Sequence, residues 1–337
     1  MSKQQFRSTN FRGDTLARIA QARVIIDEYE GQKLTARQVY YQFVARDLIP
    51  NTPRSYQNLT SILTDARYAG LIAWDSIEDR GREPDSPAQW DSIDELVDAA
   101  VNQWRSPRWR NQPKYVELWV EKQALAGVLA PIASRNHVTL MVNKGYSSAS
   151  AMKASAERML EACGVEVVVQ CDNCGADFDY REVNGECKDC EEKTNATFRY
   201  NDSTGEQIED VEKEIIVLYL GDHDPSGKDM VRDIRDRLTE FGVPNLKVDA
   251  IALTTAQVKR FNPPPNPAKI TDSRAAAYIA EFGNQSWELD ALPPRELNRI
   301  VEQAIARNMN RALMDEVIAR EDVNRERVRA AIERSRQ

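Results

Sequence analysis

Apolar residues recur along this chain in two rhythms, and the change from one to the other falls near residue 115. Before it the spacing is helical. Leu16, Ile19, Ala20, Val24 and Ile25 mark a helix over 14–29, and Tyr56, Leu59, Ile62, Leu63 and Ala66 mark another over 53–69. Between them Thr35 is an N-cap for a helix running to about Asp47, with Ile49-Pro50 as its stop. Gly70 closes the third helix, and Leu71 to Ile77 then alternates as an edge strand does. Three short helices followed by a β ribbon predict a winged-helix domain over residues 1–100. Its third helix would enter a DNA major groove, presenting Arg54, Gln57, Asn58 and Thr60. A small helical domain of this kind also suits a protein partner.

From Tyr115 onward strands alternate with helices: strand 116–120, helix 122–133, strand 138–142, helix 149–162, strand 165–170, strand 215–220, helix 227–240 and a strand near 247–252. This order predicts a largely parallel α/β sheet over 115–260, with an insertion at 171–213. Residues 101–114 form the linker between the halves. Within it Trp104-Arg105-Ser106-Pro107-Arg108-Trp109-Arg110 interleaves Arg and Trp, which can hold phosphates and stack on bases or form cation–π pairs among themselves. Asn262-Pro263-Pro264-Pro265-Asn266-Pro267 is a stiff connector into a mostly helical extension, 261–337, whose charged tail suits solvent or a second subunit.

At 337 residues, 42% hydrophobic and 29% charged, the chain has material for two or three domains. No apolar run has the length of a membrane span, and Met1-Ser2-Lys3-Gln4-Gln5 lacks an apolar signal region, so a cytoplasmic location without a membrane partner is expected. The net charge of −8 is unevenly placed. Residues 1–70 carry 10 Lys/Arg against 6 Asp/Glu, whereas residues 163–214 carry 5 against 15. The acidic block alone exceeds the whole deficit, so double-stranded DNA remains an admissible partner, with the nucleoid as the corresponding location.

That acidic block holds Cys171-x-x-Cys174 and Cys187-x-x-Cys190 with twelve residues between them. Four thiolates so spaced close a tetrahedral, structural Zn²⁺ site. Disulfides or a redox dithiol use the same residues, but disulfides suit a secreted chain. Cys163, at a helix end, is expected to be a buried apolar residue. Two strands end on acids, Val120-Glu121 and Leu220-Gly221-Asp222-His223-Asp224. A parallel sheet gathers its strand ends at one edge, where Glu121, Asp222 and Asp224 would offer hard oxygen ligands to Mg²⁺; acids after strands also serve as helix caps. On the second helix Arg37 and Tyr41 are four apart and share a face, while Tyr40 lines up with the apolar Phe43 and Val44. Most Tyr-Tyr pairs on amphipathic helices are packing residues.

Arg37-Gln38-Val39-Tyr40-Tyr41, Val120-Glu121-Lys122, Asn143-Lys144-Gly145-Tyr146, Asp222-His223-Asp224-Pro225-Ser226-Gly227 and Trp287-Glu288-Leu289-Asp290-Ala291-Leu292 occur in that order. Together they resemble the DNA topoisomerase VI A subunit and its meiotic break-forming relatives, which join a winged-helix Tyr domain to a Toprim domain. The resemblance implies that Tyr41 attacks a DNA phosphodiester to give a 5′-phosphotyrosyl bond, with Arg37 steadying the phosphate. It implies Mg²⁺ on Glu121, Asp222, Asp224 and Asp229, and a homodimer in which the Tyr of one subunit meets the metal site of the other.

Three features depart from that family. Gln38 replaces the usual acid beside the Arg, Asn143 replaces a Gly, and the cysteine insertion is additional. No Walker-type loop or GHKL-like ATP-binding region is visible, so ATP-driven strand passage would need a separate ATPase subunit. The alternative function is a Toprim metal-dependent nuclease, like that of plasmid-defence SMC systems, in which Tyr41 is structural. A DNA-binding or regulatory relic is a third possibility.

Overall fold

Two segments are predominantly apolar, Lys114–Val120 (β1), interrupted by a buried Glu117 paired with Arg158, and Glu214–Leu220 (β7), and they pair in parallel in the middle of a four-stranded sheet. A strand apolar at successive positions must be covered on both faces, and only the first residue of each is not buried. Thr139–Val142 (β2) flanks β1 and Leu246–Ala252 (β8) flanks β7, giving the all-parallel order β2-β1-β7-β8. The computed structural model describes residues 3–335 apart from 30–32, 78–86, 144, 172, 180–189, 191–195, 202–206, 209–211 and 268–273.

Helices Ala126–Arg135 (α5), Ala149–Cys163 (α6) and Pro225–Glu240 (α7) cover the sheet, burying Leu129, Ile132, Met152, Met159, Ile234 and Leu238 in the same core. The chain runs from β1 outward to β2, then returns to lay β7 on the other side of β1. That reversal makes the carboxyl ends of β1 and β7 the switch point of the sheet, where connections diverge and leave a crevice.

The strand expected at 165–170 forms as Glu166–Cys171 (β3), but it does not join the parallel sheet. It pairs antiparallel with Asp177–Asp179 (β4) and Ala196–Asn201 (β5), and β5 pairs with Gln207–Ile208 (β6). The link from β3 to β4 is too short for a parallel crossover, which takes a dozen or more residues. The inserted lobe therefore begins ahead of its first cysteine.

Helices Gly13–Glu28 (α1), Ala36–Ala45 (α2) and Pro53–Tyr68 (α3) share a second core around Ile25, Val39, Phe43, Leu59 and Leu63. The start of α2 is a capping box. Thr35 Oγ1 accepts from Gln38 N, and Gln38 Oε1 accepts from Thr35 N at 2.8 Å. Gln38 thus serves the helix end rather than Arg37. The edge strand expected at 71–77 is not formed. Trp74–Ser76 winds into a 3₁₀ turn, and only Leu34 and Ile77 meet, in a single bridge. Phe6 and Tyr68 pack edge-on against Trp74, Arg67 lies over its ring, and Arg67 Nη2 donates to the Trp74 carbonyl. This packing overrides the alternating pattern, so no β ribbon follows α3 among the described residues.

The remainder comprises Ile93–Gln103 (α4), Thr255–Phe261 (α8), a two-residue pairing of Asn266–Pro267 (β9) with Gln285–Ser286 (β10), Ala275–Phe282 (α9), Pro294–Arg307 (α10) and Arg311–Ser335 (α11). Among the described residues no helix is long and apolar enough to cross a membrane. Within the 104–110 segment Arg108 and Trp109 are occupied by the protein itself, whereas Trp104 is exposed. Trp109 is buried and donates to the Asn136 carbonyl, and Arg108 meets Glu321 of α11 through two contacts of 2.6 and 2.9 Å.

Burial alone would raise the Glu321 carboxyl, but hydrogen bonds from Arg108 and Ser106 hold it at about 2. Its folded value lies below the unfolded one near ~4.3, so the contact stabilises fully above that range and is lost as pH falls through about 2. Glu321→Gln strands a buried guanidinium and should cost about 3–5 kcal/mol in denaturant unfolding at neutral pH. The difference from wild type should narrow as the medium is acidified.

Candidate active site

The switch point carries the acids. Glu121 continues past β1, donating its amide to the Leu220 carbonyl, and its Oε2 accepts from the Asp222 amide at 3.0 Å. Asp222 Oδ1 accepts from the Leu289 amide at 2.8 Å, and Oδ2 pairs with Lys122 Nζ at 2.9 Å. Asp224 is the N-cap of α7, its Oδ1 accepting from Gly227 N at 2.7 Å and Ser226 Oγ at 3.0 Å. It occupies a cap and a cleft wall at once.

His223, between the two Asp residues, is buried in a box of Tyr278, Phe282 and Trp287. Its ring nitrogens contact Tyr278 Oη at 2.7 Å and Thr255 Oγ1 at 3.0 Å, and burial drops its pKa to about 4, so the ring is neutral at physiological pH. His223 and Trp287 also exchange both backbone hydrogen bonds. The aspartate loop is thereby fastened to the segment 285–292.

That segment links the two cores. Leu289 and Leu292 are buried with the sheet, whereas Ala291 belongs to the helical core. Its acids meet two cations from opposite sides. Arg37 of α2 pairs with Glu288 through Nη2 and with Asp290 through Nε at 3.0 Å. Lys122 pairs with Glu288 at 3.0 Å and with Asp290 at 3.1 Å. Arg37 Nη2 also donates to Tyr41 Oη at 3.4 Å, and its guanidinium lies 5.7 Å from the Tyr41 ring centre. Tyr40 donates to Asn51 Oδ1 at 2.8 Å. A cleft of about 600 Å³ opens beside this network, lined by Arg37, Tyr40, Tyr41 and Tyr56 from the helical part and by Asp222, Asp224 and Glu288 from the sheet and the segment 285–292. All of these residues belong to one chain.

The charges do not balance. Five carboxylates, Glu121, Asp222, Asp224, Glu288 and Asp290, face two cations. Burial and the neighbouring Glu121 outweigh Lys122 and push Asp222 up to about 7. Burial also raises Asp290, whereas for Glu288 the same penalty is overcome by Lys122 and Arg37, which hold it low. Tyr41 is 3% exposed. Burial first, then Asp290 and Glu288, raise its pKa above that of a free phenol despite Arg37. In this arrangement the phenol keeps its proton. An excess of hard oxygen donors with a reluctantly ionised member suits a divalent cation, although these acids are not drawn together as tightly as the cysteines.

The other expected residues lie elsewhere. Asp229 is engaged by Tyr146 Oη at 2.8 Å, Arg232 at 2.8 Å and Arg274 at 3.1 Å. On α3, Arg54, Gln57 and Asn58 are exposed, whereas Thr60 turns its hydroxyl to the Tyr56 carbonyl at 2.9 Å. Cys171, Cys174 and Cys190 bring their sulfurs within 4.8 Å of one another and could hold a metal ion; Cys187 lies outside the described residues. Gly175, at φ +74°, lets the first knuckle turn back so that its amide reaches the Cys171 carbonyl. Lys122, Glu288 and Asp290 are the site residues that motif spacing does not assign a role. Acids interleaved with Leu289, Ala291 and Leu292 in an apolar run are a signal of buried charge.

The chain matches no protein-family model, no curated protein and no solved structure.

A Cβ on Gly227 would overlap the Asp222 carbonyl oxygen, and one on Gly221 would overlap the Tyr219 phenol. The first obstacle is backbone and cannot swing aside. Gly227→Ala should therefore cost about 1–3 kcal/mol and displace Asp222, read as a lower thermal midpoint.

Proposed function

We propose that the chain is a DNA strand-cleaving transesterase resembling the DNA topoisomerase VI A subunit, with Tyr41 as nucleophile. The observation that carries this is that Arg37, Tyr41, Asp222 and Asp224 all line one cleft. An enzyme of this class needs a phenol, a phosphate-holding cation and a divalent-metal site around one phosphodiester. Each has a residue of the right kind here.

On this proposal α1 to α3 act as a winged-helix-like DNA module, with Arg54, Gln57 and Asn58 exposed for contact, and the parallel sheet is a Toprim domain. The Tyr41 oxygen forms a bond to phosphorus while the bond from phosphorus to the 3′ oxygen breaks, and the phenolic proton ends on the released 3′-hydroxyl. Arg37 holds a non-bridging oxygen and stabilises the charge that develops on it. Mg²⁺ on Glu121, Asp222 and Asp224 would supply further neutralisation of the phosphate. Asp229, held by Tyr146, Arg232 and Arg274, acts behind that set. A homodimer would place two such sites on the two strands, and strand passage would call on a separate ATPase subunit.

The burial of Tyr41 favours a second reading, in which the acids direct water onto the phosphate and Tyr41 only packs. Covalent trapping separates the two. End-labelled duplex DNA incubated with the protein and Mg²⁺ or Ca²⁺, then quenched with SDS, should yield label bound to protein in wild type and none in Tyr41→Phe. Free cut ends of equal abundance in both would assign cleavage to the acids and water.

The cysteine trio, with Cys187 as fourth ligand, is proposed to hold structural Zn²⁺. Elemental analysis should find one zinc per chain, retained in Cys163→Ser and lost in Cys174→Ser. Burial pushes the Cys163 thiol up to about 11, which makes it a poor ligand and a suitable control.

A further inference from the structure

Glu288 and Asp290 bind the same two cations, yet they differ in every property that decides whether a contact can be exchanged. Glu288 Oε2 is shared by Arg37 Nη2 and Lys122 Nζ, so one oxygen bridges both. Its side chain is 24% exposed, lines the cleft, and stands before the 3₁₀ turn Leu289–Ala291 on extended backbone. Asp290 is 1% exposed and lies within that turn, between Leu289 in one core and Ala291 in the other. A longer side chain at the edge of a cleft can swing into it. A short one clamped between two cores cannot.

We propose that Glu288 holds the place of a phosphodiester: an incoming DNA phosphate takes over its contacts with Arg37 and Lys122, while Asp290 stays and keeps both cations aimed at the cleft. The strand-cleaving reading supplies the owner of that phosphate, and this inference deepens it. Guanidinium and ammonium groups donate to a phosphate oxygen as they do to a carboxylate oxygen. Because Arg37 Nη2 also reaches Tyr41 Oη at 3.4 Å, a phosphate in that place lies next to the phenol. Glu288 is thus a removable gate and Asp290 a positioning residue. Without DNA, the gate neutralises the cations and its charge helps keep the phenol protonated.

The test is equilibrium binding of the full-length protein, without divalent metal and at fixed salt, to a short duplex and separately to inorganic phosphate. Tyr41→Phe serves as background in the duplex arm. Glu288→Gln should tighten both ligands by roughly tenfold, the scale of one released contact to a charged group. Asp290→Asn removes the same charge beside the same cations and should not tighten binding. Glu288→Asp keeps the charge but shortens the reach, and should tighten binding as well, which a pure field effect would not produce. If Asp290→Asn tightens binding as much as Glu288→Gln, or if neither Glu288 variant tightens it, the exchange is overturned. Should Asp290→Asn not fold, Glu288→Asp alone decides, and no tightening there overturns the proposal. Tightening for phosphate without any for the duplex supports the exchange and overturns DNA as the owner of the phosphate.

Discussion

Two positive charges, on Arg37 and Lys122, stand where the helical core meets the parallel sheet, Lys122 largely withdrawn from water and Arg37 half-exposed, and much of the surrounding structure satisfies them. Removing a cation of this size from water is costly unless opposite charge is fixed nearby. Here that charge comes from Asp222, which pairs with Lys122, and from one short segment in which Glu288 and Asp290 straddle Leu289 and meet both cations. The same segment contributes Leu289 and Leu292 to one core and Ala291 to the other. Apolar packing therefore sets where the acids stand, and the acids set where Arg37 and Lys122 point.

The aspartate loop is tied to the same place. The Asp222 carboxylate accepts the Leu289 amide, and His223 pairs with Trp287 along the backbone inside an aromatic box. Burial keeps His223 uncharged, so it acts as a peg and takes no part in the charge network. The close approach of Gly227 to the Asp222 carbonyl draws the first turn of α7 against the loop. Rigidity of this kind lets several like charges stay together near the cleft. The residual imbalance appears as an Asp222 that ionises with difficulty, the condition a divalent cation or an incoming cationic group would relieve.

The elements legible in the amino-acid sequence are those whose signals are local. Thr35 with Gln38 marks the start of α2, the apolar-rich runs mark β1 and β7, and Arg37 and Tyr41 have to share a face because they are one turn apart. Where the local pattern misleads, a tertiary contact overrides it. Leu71 to Ile77 alternates, yet Trp74 is captured by Phe6, Tyr68 and Arg67 and the backbone closes into a turn. The strand at β3 is a strand, but the short link to β4 decides which sheet it joins.

By itself the sequence determined helices α1 to α3, the strands β1, β2, β7 and β8, the spacing of the cysteine pairs and the order of the acidic strand ends, because spacing along the backbone encodes each of these. Only the tertiary structure decided that Glu288 and Asp290 would share Arg37 and Lys122, and that Tyr41 would be buried facing the acids of its own chain. Such pairings join residues 166 to 253 positions apart, from Lys122–Glu288 to Arg37–Asp290. No local propensity reaches that far; they arise when two cores are packed against each other and buried charges must find partners within the volume that remains.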